Sequence, residues 1–339
     1  MTDHGALATL LDDELACDAT TSDRLSNHLP MALVALSRLG ATDDRLAGFA
    51  ARYQHRLAPI PSSEPIATFD EWLAARGRDG AYGALRAYLE RCVAADGVDA
   101  TVRRHLPHLI DGLSGAAFHG IIRLAYALDA ASGPRVAAGL AYLTEVHQPL
   151  GPRGVDVPRT EDPVVALAAV AERASGGAPR TRTIGERLRL VAAQPTFTGV
   201  ADWLATDETT PSRLCAAAAA LYAATDDFIA LHGLTGSHAA LVLAPFVEDR
   251  AALCAWWFQA LAAAYLAIGA PDLADPSGPV APWLDAPAAA IVGHAAATTS
   301  DDEHVVKLVY TARTLDERRP DPLLRAAASR QAGLAPDPR

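Results

Sequence analysis

Alanine and leucine recur at helical spacing through nearly all of the 339 residues, and this pattern most constrains the fold. In stretches such as "HLIDGLSGAAFHGIIRLAYAL" and "CAWWFQALAAAYLAIGA", apolar side chains return every three or four positions. Runs of alternating β-branched residues, which strands would require, are almost absent. The sequence therefore predicts an all-α protein.

Proline and glycine divide this pattern into a series of predicted helices. Their ranges are 29–40, 42–57, 79–95, 108–131, 134–147, 163–175, 211–231, 249–268, 284–298 and 302–318. Two proline-rich segments, "LAPIPSSEPIATF" and "HQPLGPRGVDVPRTEDP", predict surface loops, and the second marks a possible boundary at 148–163. Histidine motifs lie on both sides of that boundary. We therefore expect one helical domain over 1–339, with its site between helices from both halves.

The charge of the chain restricts its partners. A formal net charge of -11 disfavours sequence-independent binding to nucleic acid or to an anionic membrane. The first twenty residues carry acids where a signal peptide would be basic, and they have no continuous apolar core. We expect a cytoplasmic protein that binds a small molecule, with no nucleic-acid or membrane partner. The sequence leaves its oligomeric state open.

Histidines are the first candidates for chemistry. The chain has 11, and five occur where an apolar helix would turn them inward: His28, His119, His232, His294 and His304. A lone inward histidine is often a hydrogen-bonded core residue, so the argument rests on the group. His28 lies in "SNHLPMALVAL", where Asn27 resembles an N-cap and Pro30 suits the first turn. Local capping is the alternative role for His28.

The second motif places polar groups on one helix face. Gly112, Gly115 and His119 follow helical spacing, and the glycines make this face narrow enough for close packing or ligand approach. Arg123 and Tyr126 continue the face, which makes them candidates for steadying a developing oxyanion. Ion pairing and core packing are the alternatives for these two residues.

The third motif, "LHGLTGSHAALVL", contains His232 and His238. Six positions turn a continuous helix by about 240°, so only one of the two should face a given site unless the glycines bend the helix. We favour His232 and keep His238 as its substitute.

Lys307 is the single lysine among 29 basic residues, in "DDEHVVKLVY". His304 lies three residues before it on an otherwise apolar helix, which predicts a buried amine. Burial can make a lysine neutral, whereas arginine stays charged. A neutral amine can act as a base or a nucleophile, or it can bind carbon dioxide as a carbamate. The alternative is an ordinary helical ion pair with Glu303, four residues earlier.

The carbamate fits best with histidines nearby, because imidazoles and one anionic oxygen suit iron(II), zinc or manganese. No H-E-x-x-H motif, dinucleotide-binding fingerprint or P-loop is present. A bound flavin or nicotinamide on a Rossmann fold is therefore disfavoured.

Four phrases together resemble a known family. "SNHLPMALVALSRLGA", "FHGIIRLAYAL", "LHGLTGSHAALVL" and "DDEHVVKLVY", in this order, are similar to the questin oxidase-like family. That family is largely helical and includes fungal and bacterial enzymes of anthraquinone pathways. The resemblance implies oxidative opening of an anthraquinone ring, by Baeyer–Villiger oxygen insertion or by iron-dependent cleavage with dioxygen. The missing flavin fingerprint favours iron.

The resemblance also implies a ligand set and a reaction. It points to His28, His119, His232 and His304 as metal ligands, with carbamylated Lys307 as the fifth. The expected protein is a mononuclear non-haem iron(II) oxygenase that uses dioxygen on a polycyclic aromatic substrate in secondary metabolism. The sequence leaves open whether NADPH is required.

Two other functions remain open at this stage. A zinc or manganese hydrolase would need an activated water and a carboxylate base such as Asp227, Asp301 or Asp302. A helical carrier of a hydrophobic ligand would use its histidines only as hydrogen-bonded core residues, and it would bind no metal.

Overall fold

A computed structural model describes residues 5–154, 159–174, 177–285, 287 and 301–334. The described α-helices are α1 (Gly5–Glu14), α2 (Leu29–Arg38), α3 (Asp43–Tyr53), α4 (Phe69–Ala74), α5 (Tyr82–Asp96), α6 (Val98–His105), α7 (His119–Asp129), α8 (Gly133–Glu145), α9 (Pro163–Arg173), α10 (Ile184–Ala192), α11 (Thr210–Thr225), α12 (Phe228–Leu243), α13 (Arg250–Ala267), α14 (Glu303–Arg318) and α15 (Pro322–Gln331). The predicted all-α fold is confirmed.

Among the described residues the only β-sheet is one small two-stranded ribbon. Strand β1 (Cys17–Thr21) pairs antiparallel with β2 (Leu57–Pro59), so that Thr21 faces Leu57. The backbone N–H of Asn27 donates to the carbonyl of Ala19 at 2.9 Å. This bond ties the ribbon to the segment that leads into α2. The ribbon therefore helps to fix the start of that helix.

The helix predicted over 108–131 is wrong in its first half. Residues 106–108 and 110–112 form short 3-10 turns, and α7 begins only at His119. Immediately before it, Ala116, Ala117 and Phe118 have φ angles of 48°, 57° and 67°. A right-handed helix cannot pass through three left-handed residues, so the chain must restart at His119.

The helix predicted over 211–231 is also wrong, because it is two helices. Asp226 adopts a left-handed φ of 53° and ends α11. Asp227 then caps α12 by accepting a hydrogen bond from the N–H of Ile229 at 2.6 Å. Most of the helix predicted over 284–298, with His294, lies outside the described residues.

The core joins helices from both sides of the 148–163 segment. One continuous cluster of buried apolar side chains includes residues of α2, α7, α8, α11, α12, α13 and α14. Helix α12 packs against α7, α11, α13 and α14, and α14 packs against α2 and α15. By length and composition alone, residues 228–246 could cross a membrane, but this stretch is mostly buried within the fold. It is the central helix of the core.

The two glycines of α12 do not bend the helix, which runs continuously past both of them. Gly236 instead allows a close approach to α7. A Cβ atom there would lie 2.8 Å from Cβ and Cγ of Phe118, the residue before His119. At Gly233 the nearest neighbour of an added Cβ would be Leu261 Cδ1, at an ordinary 3.5 Å. Only Gly236 is therefore required for packing.

We expect Gly236→Ala to lower the free energy of unfolding by about 1–3 kcal/mol, because it overfills the contact between α12 and Phe118. Gly233→Ala is the matched control on the same helix. It should leave the stability unchanged or raise it by up to about 1 kcal/mol, because alanine is the better helix former. Urea unfolding followed by circular dichroism measures both values. Equal effects of the two substitutions would contradict this account of Gly236.

Candidate metal centre

The N-terminal ends of four helices meet in the interior and bring four histidines together. His28 is the residue immediately before α2, His119 is the first residue of α7, and His232 lies in the second turn of α12. His304 and Lys307 lie in the first turns of α14. These are the four histidines and the lysine to which the family resemblance pointed. We call these five residues the histidine cluster.

The four imidazole rings form a closed set of neighbours. The ring centroids of His28 and His119 are 4.5 Å apart, those of His28 and His304 4.7 Å, and those of His119 and His232 4.8 Å. His232 and His304 complete the circuit at 5.4 Å. One nitrogen from each of His28, His119 and His304 lies within 4.8 Å of the other two, which is a spacing that one metal ion can bridge.

In three of the four rings, hydrogen bonds determine which nitrogen has a lone pair available to a metal. His119 Nδ1 donates to the carbonyl of Ala116 at 2.6 Å, and His232 Nδ1 donates to the carbonyl of Phe228 at 2.6 Å. His304 Nδ1 lies 3.2 Å from Asp302 Oδ1. Since a carbonyl or carboxylate oxygen can only accept, Nδ1 carries the hydrogen in each ring. In a neutral imidazole, Nε2 then has the lone pair that a metal needs.

The fourth ring is held by a buried carboxylate. His28 Nδ1 lies 3.2 Å from Glu303 Oε1, and Arg56 Nη1 donates to the same oxygen at 3.0 Å. The side chain of His28 makes no capping hydrogen bond with α2, so local capping does not explain it. Asn27 performs that role by accepting from the N–H of Leu29 at 3.0 Å. The contact with Glu303 therefore leaves Nε2 of His28 as the nitrogen available to a metal.

Lys307 is buried at 1% exposure, and its Nζ lies 3.4 Å from His28 Nδ1. The alternative ion pair with Glu303 is not formed, because the carboxylate of Glu303 is taken by Arg56 and His28. Among the described residues, no ion pair joins Lys307 to any carboxylate. Burial lowers the pKa of Lys307 to about 8. The neutral amine is therefore reached more readily at Lys307 than in an exposed lysine, and the burial that the sequence predicted is confirmed.

The electrostatic surroundings also keep the imidazoles neutral. Burial lowers the pKa of His28, His119 and His232 well below the ordinary value, and the nearby cationic groups lower it further. Burial lowers the pKa of His304 as well. The positive ends of the helix dipoles meeting here act in the same direction. Neutral imidazoles are the form in which histidine binds metals.

One atom of the cluster lacks the partner that burial normally demands. His119 Nε2 is buried and has no hydrogen-bond partner among the described residues. An unsatisfied buried polar atom costs about 1–3 kcal/mol. Nδ1 of His238 is likewise unpartnered, but the His119 ring lies against the rings of His28 and His232. The oriented lone pairs and the unpartnered Nε2 fit a divalent transition metal. That these residues hold one stays a prediction.

The other residues singled out by the sequence lie apart from the cluster. His238 packs edge-on against Tyr310, with ring centroids 5.8 Å apart, and makes no ring contact with the four clustered histidines. Arg123 lies one helical turn after His119 on α7, and its Nη2 donates to Glu14 Oε1 at 2.7 Å. Tyr126 is buried against Tyr310. In the structure, Arg123 forms an ion pair and Tyr126 packs in the core. Their role in stabilising an oxyanion stays a prediction.

Several residues that organise the site carried no signal in the sequence. Glu14 accepts from Asn27 Nδ2 at 2.8 Å as well as from Arg123, and it thereby links the segment before His28 to the helix that begins at His119. Nothing in the local sequence connects positions this far apart. Phe228, whose ring touches His232 and His304, was likewise missed.

The lowered histidine pKa values predict a specific acid sensitivity. A group whose pKa is about 4 when folded and 6.5 when unfolded stabilises the fold fully above pH 6.5 and loses that contribution as the pH falls toward 4. Burial sets this difference for His238. Between pH 7.5 and 5, His238 should account for about 2 kcal/mol of lost stability.

Urea unfolding of chelator-treated protein at both pH values tests this expectation. In His238→Gln, the fall in the free energy of unfolding between pH 7.5 and 5 should be about 2 kcal/mol smaller than in the parent. In His55→Gln, a variant of an exposed histidine, the fall should be the same as in the parent. A His238→Gln variant with the full pH dependence of the parent would contradict it.

Comparison with known sequences agrees with this geometry. A family model described as Questin oxidase-like matches residues 25–312, a range that includes all five residues of the histidine cluster. No curated protein sequence matches the chain significantly. The match covers well over half of the 339 residues, and it agrees with the four sequence phrases and the all-α fold. The chain therefore belongs to the questin oxidase-like family.

Proposed function

We propose that the protein is a mononuclear non-haem iron oxygenase that opens a ring of a polycyclic, anthraquinone-like aromatic substrate with dioxygen. Family membership implies an oxidoreductase. The observation that carries the proposal is the histidine cluster itself, with its oriented Nε2 atoms and the unpartnered nitrogen of His119. Iron(II) would supply dioxygen activation and Lewis acidity when bound.

Four imidazoles and one anionic oxygen would hold the iron. Nε2 of His28, His119, His232 and His304 would be the nitrogen ligands, each with Nδ1 held by a neighbouring oxygen. The anion would be a carbamate on Lys307, whose buried amine loses its proton more readily than an exposed one. An anion in this position is favoured by the positive ends of the helices around it.

The protein's own groups would control water and orientation. His28, His119, His232 and Lys307 are each at most 6% exposed, so bulk water is largely excluded from the reacting centre. The carbonyls of Ala116 and Phe228 keep Nδ1 of their imidazoles protonated and prevent the rings from flipping. These fixed contacts hold the ligand set in place before a substrate arrives.

The two alternatives receive less support from the contacts. Asp227 caps α12, and Asp302 caps α14 while contacting His304, so both carboxylates already serve helix ends. Asp301 pairs with Arg45 and Arg52. These contacts disfavour a carboxylate base for a hydrolase. The meeting of four imidazoles, each with an oxygen neighbour at Nδ1, disfavours a carrier whose histidines only fill the core.

The proposal predicts one iron per chain and dioxygen uptake with a hydroxyanthraquinone. Protein loaded anaerobically with iron(II) should consume dioxygen when 1,8-dihydroxyanthraquinone is added, whereas zinc-loaded protein should consume none because zinc has no redox chemistry. His119→Ala should weaken metal binding by more than the about 10–100-fold typical of outer-shell changes. The matched control is His238→Ala, a buried histidine outside the cluster, which should keep its metal.

Elemental analysis and an oxygen electrode measure these outcomes. Full zinc occupancy with hydrolysis and no dioxygen uptake would favour the hydrolase. Equal metal retention by His119→Ala and His238→Ala would exclude the histidine cluster as the metal site.

Lys307 provides a separate test of the carbamate. Lys307→Arg should abolish metal retention, because a guanidinium keeps its charge and cannot bind carbon dioxide. Lys307→Ala should lose metal as well, but acetate should restore part of the binding by occupying the space of the missing carbamate. Metal content after gel filtration, with and without acetate, reports both effects. A Lys307→Arg variant that retained a full equivalent of metal would refute the carbamate.

A further inference from the structure

Phe228, the first residue of α12, stands at the solvent-facing edge of the histidine cluster. Its ring centroid lies 4.5 Å from that of His232 and 4.7 Å from that of His304, both in edge-on geometry. The Phe228 residue is nevertheless 52% exposed. Its backbone carbonyl accepts the hydrogen bond from His232 Nδ1. One residue therefore both orients a candidate ligand and presents an aromatic surface to solvent.

The exposure of Phe228 alone would mean little, because single apolar residues are common on protein surfaces. Its position is what distinguishes it. Leu25, Val165 and Leu190 are similarly exposed, at 49–54%. Among the described residues, Phe228 is the exposed large apolar residue whose side chain touches two imidazoles of the cluster.

The exposures of the cluster show from which side the site opens. The side chain of His304 is 16% exposed and that of His28 is 8% exposed, and the whole residues His119 and His232 are only 5% and 1% exposed. Solvent therefore reaches the cluster beside His304, where Phe228 lies. Edge-on contacts with the rings of His232 and His304 hold the Phe228 ring, and the residue stays 52% exposed. An aromatic ring supported in this way prefers an offset stack with a second flat ring at a centroid distance of about 4.5–7 Å.

We infer that Phe228 is the platform on which a planar polycyclic aromatic substrate stacks at the mouth of the site. This inference rests on the proposed function and adds to it the residue that selects flat, aromatic molecules. A molecule stacked on Phe228 lies beside His304, the most exposed imidazole of the cluster. Phe228 would determine substrate affinity without being a metal ligand.

Equilibrium binding of 1,8-dihydroxyanthraquinone to the zinc-loaded full-length protein tests the inference without requiring turnover. Phe228→Ala should raise the dissociation constant by about tenfold, which corresponds to the loss of one aromatic stack with its buried area. Phe228→Trp should retain the affinity, and Phe228→Leu, which keeps apolar bulk without a flat ring, should recover only part of it. Leu190→Ala, an equally exposed apolar residue on α10, is the matched control and should bind as the parent does.

Metal content and circular dichroism should be the same in all four variants, which separates lost stacking from damage to α12. If Phe228→Ala or Phe228→Leu binds the probe as tightly as the parent, the inference is refuted. It is also refuted if the parent does not bind the probe at all. Weaker binding in Phe228→Ala would support the role of Phe228 even if the iron-loaded parent consumed no dioxygen. The inference and the proposed function are therefore contradicted by different measurements.

Discussion

The structure depends on bringing the N-terminal ends of α2, α7, α12 and α14 to one buried point. Each helix end carries a partial positive charge, and at α2, α12 and α14 the side chain of Asn27, Asp227 or Asp302 accepts from a backbone N–H group. Burial is the main cause of the lowered pKa values of the imidazoles and of Lys307, and neighbouring cationic side chains lower those of the imidazoles further. The result is a group of neutral imidazoles beside a buried lysine that loses its proton more readily than an exposed one.

The contacts around the histidine cluster mainly orient its imidazole rings. Each imidazole of the cluster has an oxygen neighbour at Nδ1, from a backbone carbonyl or a carboxylate. The segment before His119 reaches its position through three left-handed residues, at a cost of about 1–2 kcal/mol each. Strained backbone of this kind is concentrated at functional sites. Here it puts the carbonyl of Ala116 within 2.6 Å of His119 Nδ1.

Ion pairs hold together the segments that surround the histidine cluster. Arg123 and Glu14 are 4% and 3% exposed, and Glu14 also binds Asn27 beside His28. Breaking a buried pair by removing one partner leaves an uncompensated charge, so this network specifies how α1, α2 and α7 meet. Arg56 plays a comparable part at the other side of the cluster, since it donates to the Glu303 carboxylate that contacts His28. The position of Glu303 beside His28 thus depends partly on a residue from a distant segment.

The sequence by itself determined the all-α class, most helix locations, and the histidine and lysine residues that meet in the interior. Apolar spacing and the unique lysine are local features of the sequence, so they can be recognised without knowledge of the fold. Only the tertiary structure decided that α7 begins at His119, that Glu303 pairs with Arg56 instead of Lys307, and that Phe228 faces solvent. These features depend on left-handed backbone, on partners far apart in the chain, and on which side chains the packed helices leave exposed. Short-range periodicity contains none of that information, because burial and charge pairing are settled by packing between distant segments.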